Sequence, residues 1–267
     1  MVIFWRGSMT IAGKWALITG ASGGMGMEFA YLLAQRGHNL ILAARSVDKL
    51  EVAASELRKS GVQVDVEPFD LSVEGAADEL VTAVKTKGIE IDVLINNAGQ
   101  GLYGDFTDQS TQALDRMLHL NMLSVTTLTH AIAAEMAHRG NGHILLVASL
   151  TSFMPCPTYA AYAATKAYVR HFGEALHDEL APCNVGVTVL SPGLMDTGFL
   201  STAGQEPSQA MRRTMTSPRL AAKVGIDALF ARRQTVVAGS LNNVVAAASR
   251  ILPKGAQTRI MSHALNG

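Results

Sequence analysis

Between Trp15 and Gly239 the chain repeats one pattern, a short strand-like run followed by a longer helical segment. The runs are WALITG (15–20), NLILAA (39–44), the alternating VQVDVEPF (62–69), DVLINN (92–97), HILLVAS (143–149), GVTVLS (186–191) and TVVAG (235–239). Helical periodicity or composition fills 26–37, 47–60, 73–87, 108–139 and 158–181, with Gly37, Gly61 and Pro182 as stop signals. Mostly unbroken apolar strands separated by helices predict a parallel sheet covered on both faces. With right-handed crossovers the expectation is an α/β fold, one doubly wound Rossmann-type sheet of about seven strands. Ligands in such sheets bind beyond the carboxyl ends of the strands, which directs attention to the residues after Gly20, Ala44, Phe69, Asn97, Ser149 and Ser191.

The first of these positions carries TGASGGMG, residues 19–26. Gly20, Gly24 and Gly26 let a turn tighten, let backbone approach a pyrophosphate and let the next helix pack on the strand, while helix-start amides favour phosphate charge. The whole turn, with Ser22, Gly23 and Met25, is therefore a candidate dinucleotide site. At the end of the next strand an NAD-selective site places a carboxylate on the ribose hydroxyls. Here Ala44 stands at that point, followed by Arg45 and Ser46. Without a carboxylate a 2′-phosphate is not repelled, and a guanidinium can pair with it in forked geometry. NADP(H) is the expected cofactor, ahead of NAD.

Composition removes other classes. Lys plus Arg and Asp plus Glu are 22 each, so the whole-chain charge gives no reason to expect nucleic acid or an anionic membrane as partner. Cys156 and Cys183 are the only cysteines, and the eight histidines show no ligand spacing, so no metal site or disulfide framework is expected. No segment has the ~18 unbroken apolar residues of a spanning helix, and the chain reads as soluble and cytoplasmic. Residues 10–267 are expected to form a single domain behind an N-terminal extension at 1–9.

YAAYAATKAY (159–168) raises the question of a working acid. On a helix Tyr162 has Lys166 four residues on, whereas Tyr159 faces Ala163 and Tyr168 faces Phe172. An ammonium beside a phenol favours its ionised form, although such a pair taken alone is a common accident.

Taken in order, these motifs resemble the short-chain dehydrogenase/reductase family in its compact branch, over residues 12–240. TGASGGMG is similar to the family's glycine turn. Asp70-Leu71 resembles the pair that contacts the adenine, and NNAG, with Asn97, Ala98 and Gly99, the motif that supports the cofactor after the fourth strand. Asn121, Ser149, Tyr162 and Lys166 match the catalytic set. Pro192, Gly193, Met195 and Thr197 resemble the loop that grips the nicotinamide amide, with Tyr162 and Lys166 also touching the cofactor. Gly23 departs from a frequent serine, and Met195 from a commoner β-branched residue.

The resemblance implies an NADP-dependent oxidoreductase in which Tyr162 exchanges a proton with a carbonyl or alcohol oxygen. Ser149 holds that oxygen, Lys166 holds the nicotinamide ribose, and Asn121 positions a water beyond Lys166. It also implies a homodimer or homotetramer. The alternative on the same fold is a non-catalytic NADP-binding regulator, against which all four catalytic positions stand. The loops 150–160 and 194–215 offer Phe153, Met154, Phe199, Leu200, Met211 and Met215 as pocket walls, which suits a hydrophobic ketone, aldehyde or secondary alcohol. In the tail, 240–267, a short amphipathic helix near 241–252 is expected to pack over the substrate site or against a neighbouring subunit, ahead of a contact with another partner or a membrane surface.

Overall fold

The computed structural model describes residues 13–195 and 197–266, so the extension at 1–9 lies outside it. The strands β1 (Trp15–Thr19), β2 (Asn39–Ala44), β3 (Val64–Pro68), β4 (Ile91–Asn96), β5 (Gly142–Val147), β6 (Val185–Pro192) and β7 (Thr235–Ala238) form one sheet. Their order is β3-β2-β1-β4-β5-β6-β7, and every neighbouring pair is parallel. After β3 the chain crosses to the far side of β1, which puts the switch point between β1 and β4, the ligand crevice of a doubly wound sheet.

Helices α1 (Gly24–Ala34), α2 (Val47–Arg58) and α3 (Ala76–Thr86) follow the first three strands. α4 (Thr111–Leu118), α5 (Ser124–Arg139) and α6 (Ala160–Leu180) flank β5 in the chain. Beyond β6 come two short helices, α7 (Phe199–Ala203) and α8 (Gln209–Thr214), then α9 (Pro218–Phe230). The tail forms α10 (Ser240–Ala248) and α11 (Lys254–Asn266).

Successive strand residues feed opposite faces. Ala16, Ile18, Leu40 and Leu42 pack with Phe29 and Leu33 of α1 and Ile226 of α9, while Leu17 and Ile41 pack with Leu128 and Ile132 of α5 and Val169 of α6. α6 reaches the sheet through Gly173, where an added Cβ would lie 2.4 Å from Val189 Cγ2 and 2.8 Å from Leu146 Cδ1. Gly173→Val should push α6 outward and cost about 1–3 kcal/mol by overpacking. Urea unfolding checks this, and an unchanged midpoint would show that the helix has room to spare.

Two expectations need correction. The helical region expected over 108–139 is unbroken from Thr111, capped by the Ser110 hydroxyl, to Arg139, but it is not uniform: a π turn at His119–Leu123 joins α4 to α5, and a separate 3-10 turn at Phe106–Asp108 precedes them. The π turn is set by tertiary hydrogen bonds to Asn121, which a local apolar period does not record. The tail holds two helices rather than one, because Pro253 separates them and the buried Gln257 amide bonds back to the Ser249 and Leu252 carbonyls at 2.8 and 2.7 Å.

At the opposite end of the sheet His38 and His143 flank the Phe230 ring, with centroids 5.7 and 5.2 Å away. Each has a buried Nδ1 without a partner among the described residues. Burial lowers both imidazoles, His143 to about 4, with Arg232 and Lys14 adding repulsion there. A group that protonates more readily when unfolded makes stability fall as pH drops from about 6.5 towards 4. For His143 the loss should approach about 3 kcal/mol. Melting temperature against pH should fall through this window and flatten in His143→Leu; an equally steep fall in that variant would assign the acid sensitivity elsewhere.

Candidate active site

The glycine turn is held by close approach. Gly20 has φ +67°, and a Cβ there would sit 2.9 Å from Asn97 Nδ2. A Cβ on Gly26 would be 2.2 Å from the Gly20 carbonyl oxygen, so α1 could not start where it does with any other residue. Gly24, at φ +53°, faces Thr197 at 3.2 Å, which brings the loop after β6 onto the turn. Gly23 is extended and borders open space. α1 has no side-chain cap, so the first-turn amides of Gly24, Met25 and Gly26 remain for an anion. These residues fit the pyrophosphate of a dinucleotide.

Thr19, which the glycine pattern does not single out, staples this turn to β4. Its hydroxyl accepts from the amides of Asn97 and Ala98, both at 3.0 Å, and donates to the Ile95 carbonyl. Asn97 answers by donating its side-chain amide to the Thr19 carbonyl at 2.9 Å.

At the ends of β2 and β3, Ala44 is buried and Arg45 is exposed, with Ser46 as the N-cap of α2. Asp70 is not a free carboxylate. It accepts from the Ser72 amide and hydroxyl at 3.1 and 2.7 Å, and from Arg116 of α4 at 2.8 Å. These hydrogen bonds, with Arg45 and Arg116 nearby, outweigh desolvation and hold its carboxyl below the usual range. The Leu71 carbonyl accepts from the Ser124 hydroxyl and lies 3.3 Å from His119 Nδ1. The segment expected to meet adenine is thus locked to the π turn that carries Asn121. Neither Arg116 nor this coupling is visible in the sequence pattern.

Asn121 is fully buried. Its side chain exchanges two hydrogen bonds with the Gln100 backbone, at 3.0 and 2.9 Å, and donates to Thr165 Oγ1 at 3.0 Å. Thr165 in turn donates to the Tyr162 carbonyl at 2.7 Å. A Cβ on Gly99 would lie 3.2 Å from Lys166 Nζ and 3.3 Å from Asn121 Oδ1, so the NNAG turn, the lysine and the asparagine meet at one point. Ser149 caps a short 3-10 turn, its hydroxyl accepting from the Thr151 amide at 3.2 Å, and acts on the Tyr162 phenol to favour its ionised form. Lys166 donates to the Val147 carbonyl at 2.9 Å, and its Nζ is 5.9 Å from the Tyr162 ring centroid. The four residues expected to be catalytic lie close to one another.

The spacing argument expected Lys166 to draw the phenol down. Burial dominates instead: it pushes Tyr162 above the usual phenol value, Ser149 opposing it, and it lowers Lys166 to about 8. Tyr159 is buried, its hydroxyl donating to Gln205 at 2.9 Å, and Tyr168 bonds Thr126 at 2.8 Å and stacks on Phe172.

Around the phenol lies an apolar cluster built from Met117, Met154, Cys156 and Tyr159, with Phe153 and Phe199 against it. The Phe199 ring is 5.3 Å from that of Tyr162. Of the expected walls, Phe153, Met154 and Phe199 belong to or pack on this cluster, while Leu200 and Met211 are buried and Met215 is half-buried. Cys156 is a packing residue whose thiol burial pushes up to about 12, well away from a reactive thiolate. In the loop after β6, Gly193 touches Asn242 of α10, since a Cβ there would be 2.3 Å from its Nδ2. Met195 forms a parallel bridge with Thr216. Pro192 ends β6 beneath them.

Comparison with known proteins gives the same picture. The family model described as short chain dehydrogenase matches residues 14–208. A very-long-chain 3-oxoacyl-CoA reductase of Podospora anserina is 36% identical over 70% of this chain, the match taking in 56% of the fungal protein. A short-chain dehydrogenase of Sphingobium yanoikuyae, solved with NADPH, superposes with TM-score 0.79 at 27% identity, covering 90% of this chain and 96% of that one. A bulky-bulky ketone specific alcohol dehydrogenase of Comamonas testosteroni gives TM-score 0.75 at 30% identity over 89% and 92% of the two chains. Nothing in these relatives supports the cofactor-sensing alternative. With its matched sequence, its sheet order and these neighbours, the chain belongs to the short-chain dehydrogenase/reductase family and is an oxidoreductase acting on CH–OH groups.

Proposed function

We propose that the protein is an NADP(H)-dependent reductase of apolar ketones or aldehydes, acting also on the corresponding secondary alcohols. The observation that carries this is the Ser149 hydroxyl set beside the buried Tyr162 phenol at an apolar cluster, with Lys166 and Asn121 behind it. When bound, the cofactor supplies or takes up the hydride. Gly20, Ser22, Gly23, Gly24, Met25 and Gly26 would hold its pyrophosphate end, and Arg45 and Ser46 its 2′-phosphate. Asp70, Leu71, Asn97, Ala98 and Gly99 would line the adenosine side, with Pro192, Gly193, Met195 and Thr197 on the nicotinamide side.

During reduction Ser149 holds the substrate oxygen, and Tyr162 gives it a proton. A phenol kept protonated by burial is suited to this direction, because the acid is present at neutral pH and donates only where charge develops. Lys166, lowered to about 8, stands ready to return a proton after turnover. Asn121, whose amide is engaged by Gln100 and Thr165, holds the Gly99–Gln100 turn beside Lys166. Two similarities support the assignment: one relative is solved with NADPH, and another is specific for bulky ketones.

The test is NADPH oxidation, followed by absorbance, against apolar ketones, aldehydes and charged keto acids. Apolar ketones and aldehydes should turn over best; turnover confined to the keto acids would overturn the substrate class. In this reading the enzyme acts in the cytoplasm, as a homodimer or homotetramer.

A further inference from the structure

α10 and α11 have two unlike faces. Inward, Val245 and Met261 pack on the apolar cluster around Tyr162, and Asn242 meets the loop at Gly193. Outward, Leu241 (58% exposed) and Val244 (64%) share one face of α10, and Ile251 (87%) stands in the turn before α11, where Ile260 (55%) follows. Large aliphatic side chains exposed this close together along one stretch of the tail mark an interaction site rather than scattered exposure.

Charge decides the partner. From Ser240 to Gly267 the chain holds Arg250, Lys254 and Arg259 and no aspartate or glutamate. Arg250 and Lys254 are exposed within the same stretch as Ile251. A second copy related by a twofold axis would bring these cations against themselves. A surface of anionic headgroups complements them, while the aliphatic side chains enter the headgroup–acyl boundary. The neutral whole-chain balance averages this local asymmetry away.

We propose that the outward face of α10 and α11 docks the protein on an anionic lipid bilayer. The contact is peripheral, since among the described residues no helix is long and apolar enough to cross a membrane. It goes beyond the reductase reading and does not depend on it. If both hold, the inner face of the docked helices packs on the apolar cluster around Tyr162, which places the reacting centre next to the lipid-facing tail.

The test is co-sedimentation of the full chain with vesicles of equal phosphatidylglycerol and phosphatidylcholine, and with phosphatidylcholine alone. The protein should pellet with the anionic vesicles, stay in solution with the neutral ones, and be released by 0.5 M salt. Each cation near such a surface is worth roughly fivefold in partitioning, so Arg250→Gln with Lys254→Gln should weaken binding roughly twenty-five-fold. Val244→Asp with Ile251→Asp should weaken it at least tenfold on the order-of-magnitude cost of exposing charge to the boundary. Unchanged melting and NADPH binding would show that these variants fold. Failure of the wild type to pellet, or equal pelleting of the variants, would overturn the proposal. So would light scattering that shows a dimer split by Val244→Asp, since a second copy would then cover the face. None of these results bears on turnover measured without lipid.

Discussion

Tyr162→Phe should lower kcat by about 10²–10⁴-fold while leaving NADPH affinity within a small factor of wild type. The phenol is buried, lies beside Ser149 and is raised by that burial above the usual phenol value, so the substitution deletes the acid and little else. The ring contacts to Tyr159 at 5.7 Å and Phe199 at 5.3 Å survive in phenylalanine, which separates lost chemistry from lost packing. Steady-state kinetics with fluorescence titration of NADPH provides the check. Near-normal turnover would show that another group delivers the proton. Tyr159 is the nearest phenol, and its hydroxyl is committed to Gln205.

Arg45→Asp should reverse the cofactor preference, shifting the ratio of kcat/KM for NADPH over NADH by roughly a hundredfold or more. A charge-assisted hydrogen bond is worth about 1.5–3 kcal/mol, and a carboxylate in its place adds repulsion of the 2′-phosphate. Arg45 is exposed at the mouth of the crevice, so the substitution leaves the core intact. Asp70 lies close enough to act on Arg45 electrostatically, but its carboxylate is taken up by Ser72 and Arg116, which leaves the guanidinium available to phosphate. Equal ratios in wild type and variant would remove Arg45 from cofactor selection.

The sheet was legible because its strands are short apolar runs bounded by turn residues. NLILAA is β2 to the residue, and GVTVLS lies inside a fully buried β6. The site was legible wherever a local spacing carries the chemistry: the glycine turn, and Tyr162 one helical turn from Lys166. What stayed hidden depends on partners distant in sequence. The π turn at Asn121 exists because Gln100 and Thr165 hold the side chain, 21 and 44 residues away. Arg116 reaches Asp70 across 46 residues, and Thr19 reaches Asn97 across 78. The effect of Lys166 on Tyr162 was misjudged for a related reason. Helical spacing gives proximity, but burial, a property of the whole fold, decides which protonation state wins. The tail was legible in part: the amphipathic helix expected over the site is α10, whose Val245 packs on the cluster around Tyr162 and whose Asn242 meets Gly193.

The central claim, hydride transfer to a carbonyl within the Ser149–Tyr162 site, is tested most directly by isotope transfer. Wild-type protein is given NADPH carrying deuterium at both C4 positions of the nicotinamide, together with an apolar ketone, and the alcohol product is analysed by mass spectrometry and NMR. The account predicts one deuterium on the carbinol carbon and no transfer by Tyr162→Phe above its residual rate. Alcohol formed without deuterium at that carbon, or no alcohol from any apolar ketone or aldehyde despite bound NADPH, would contradict it.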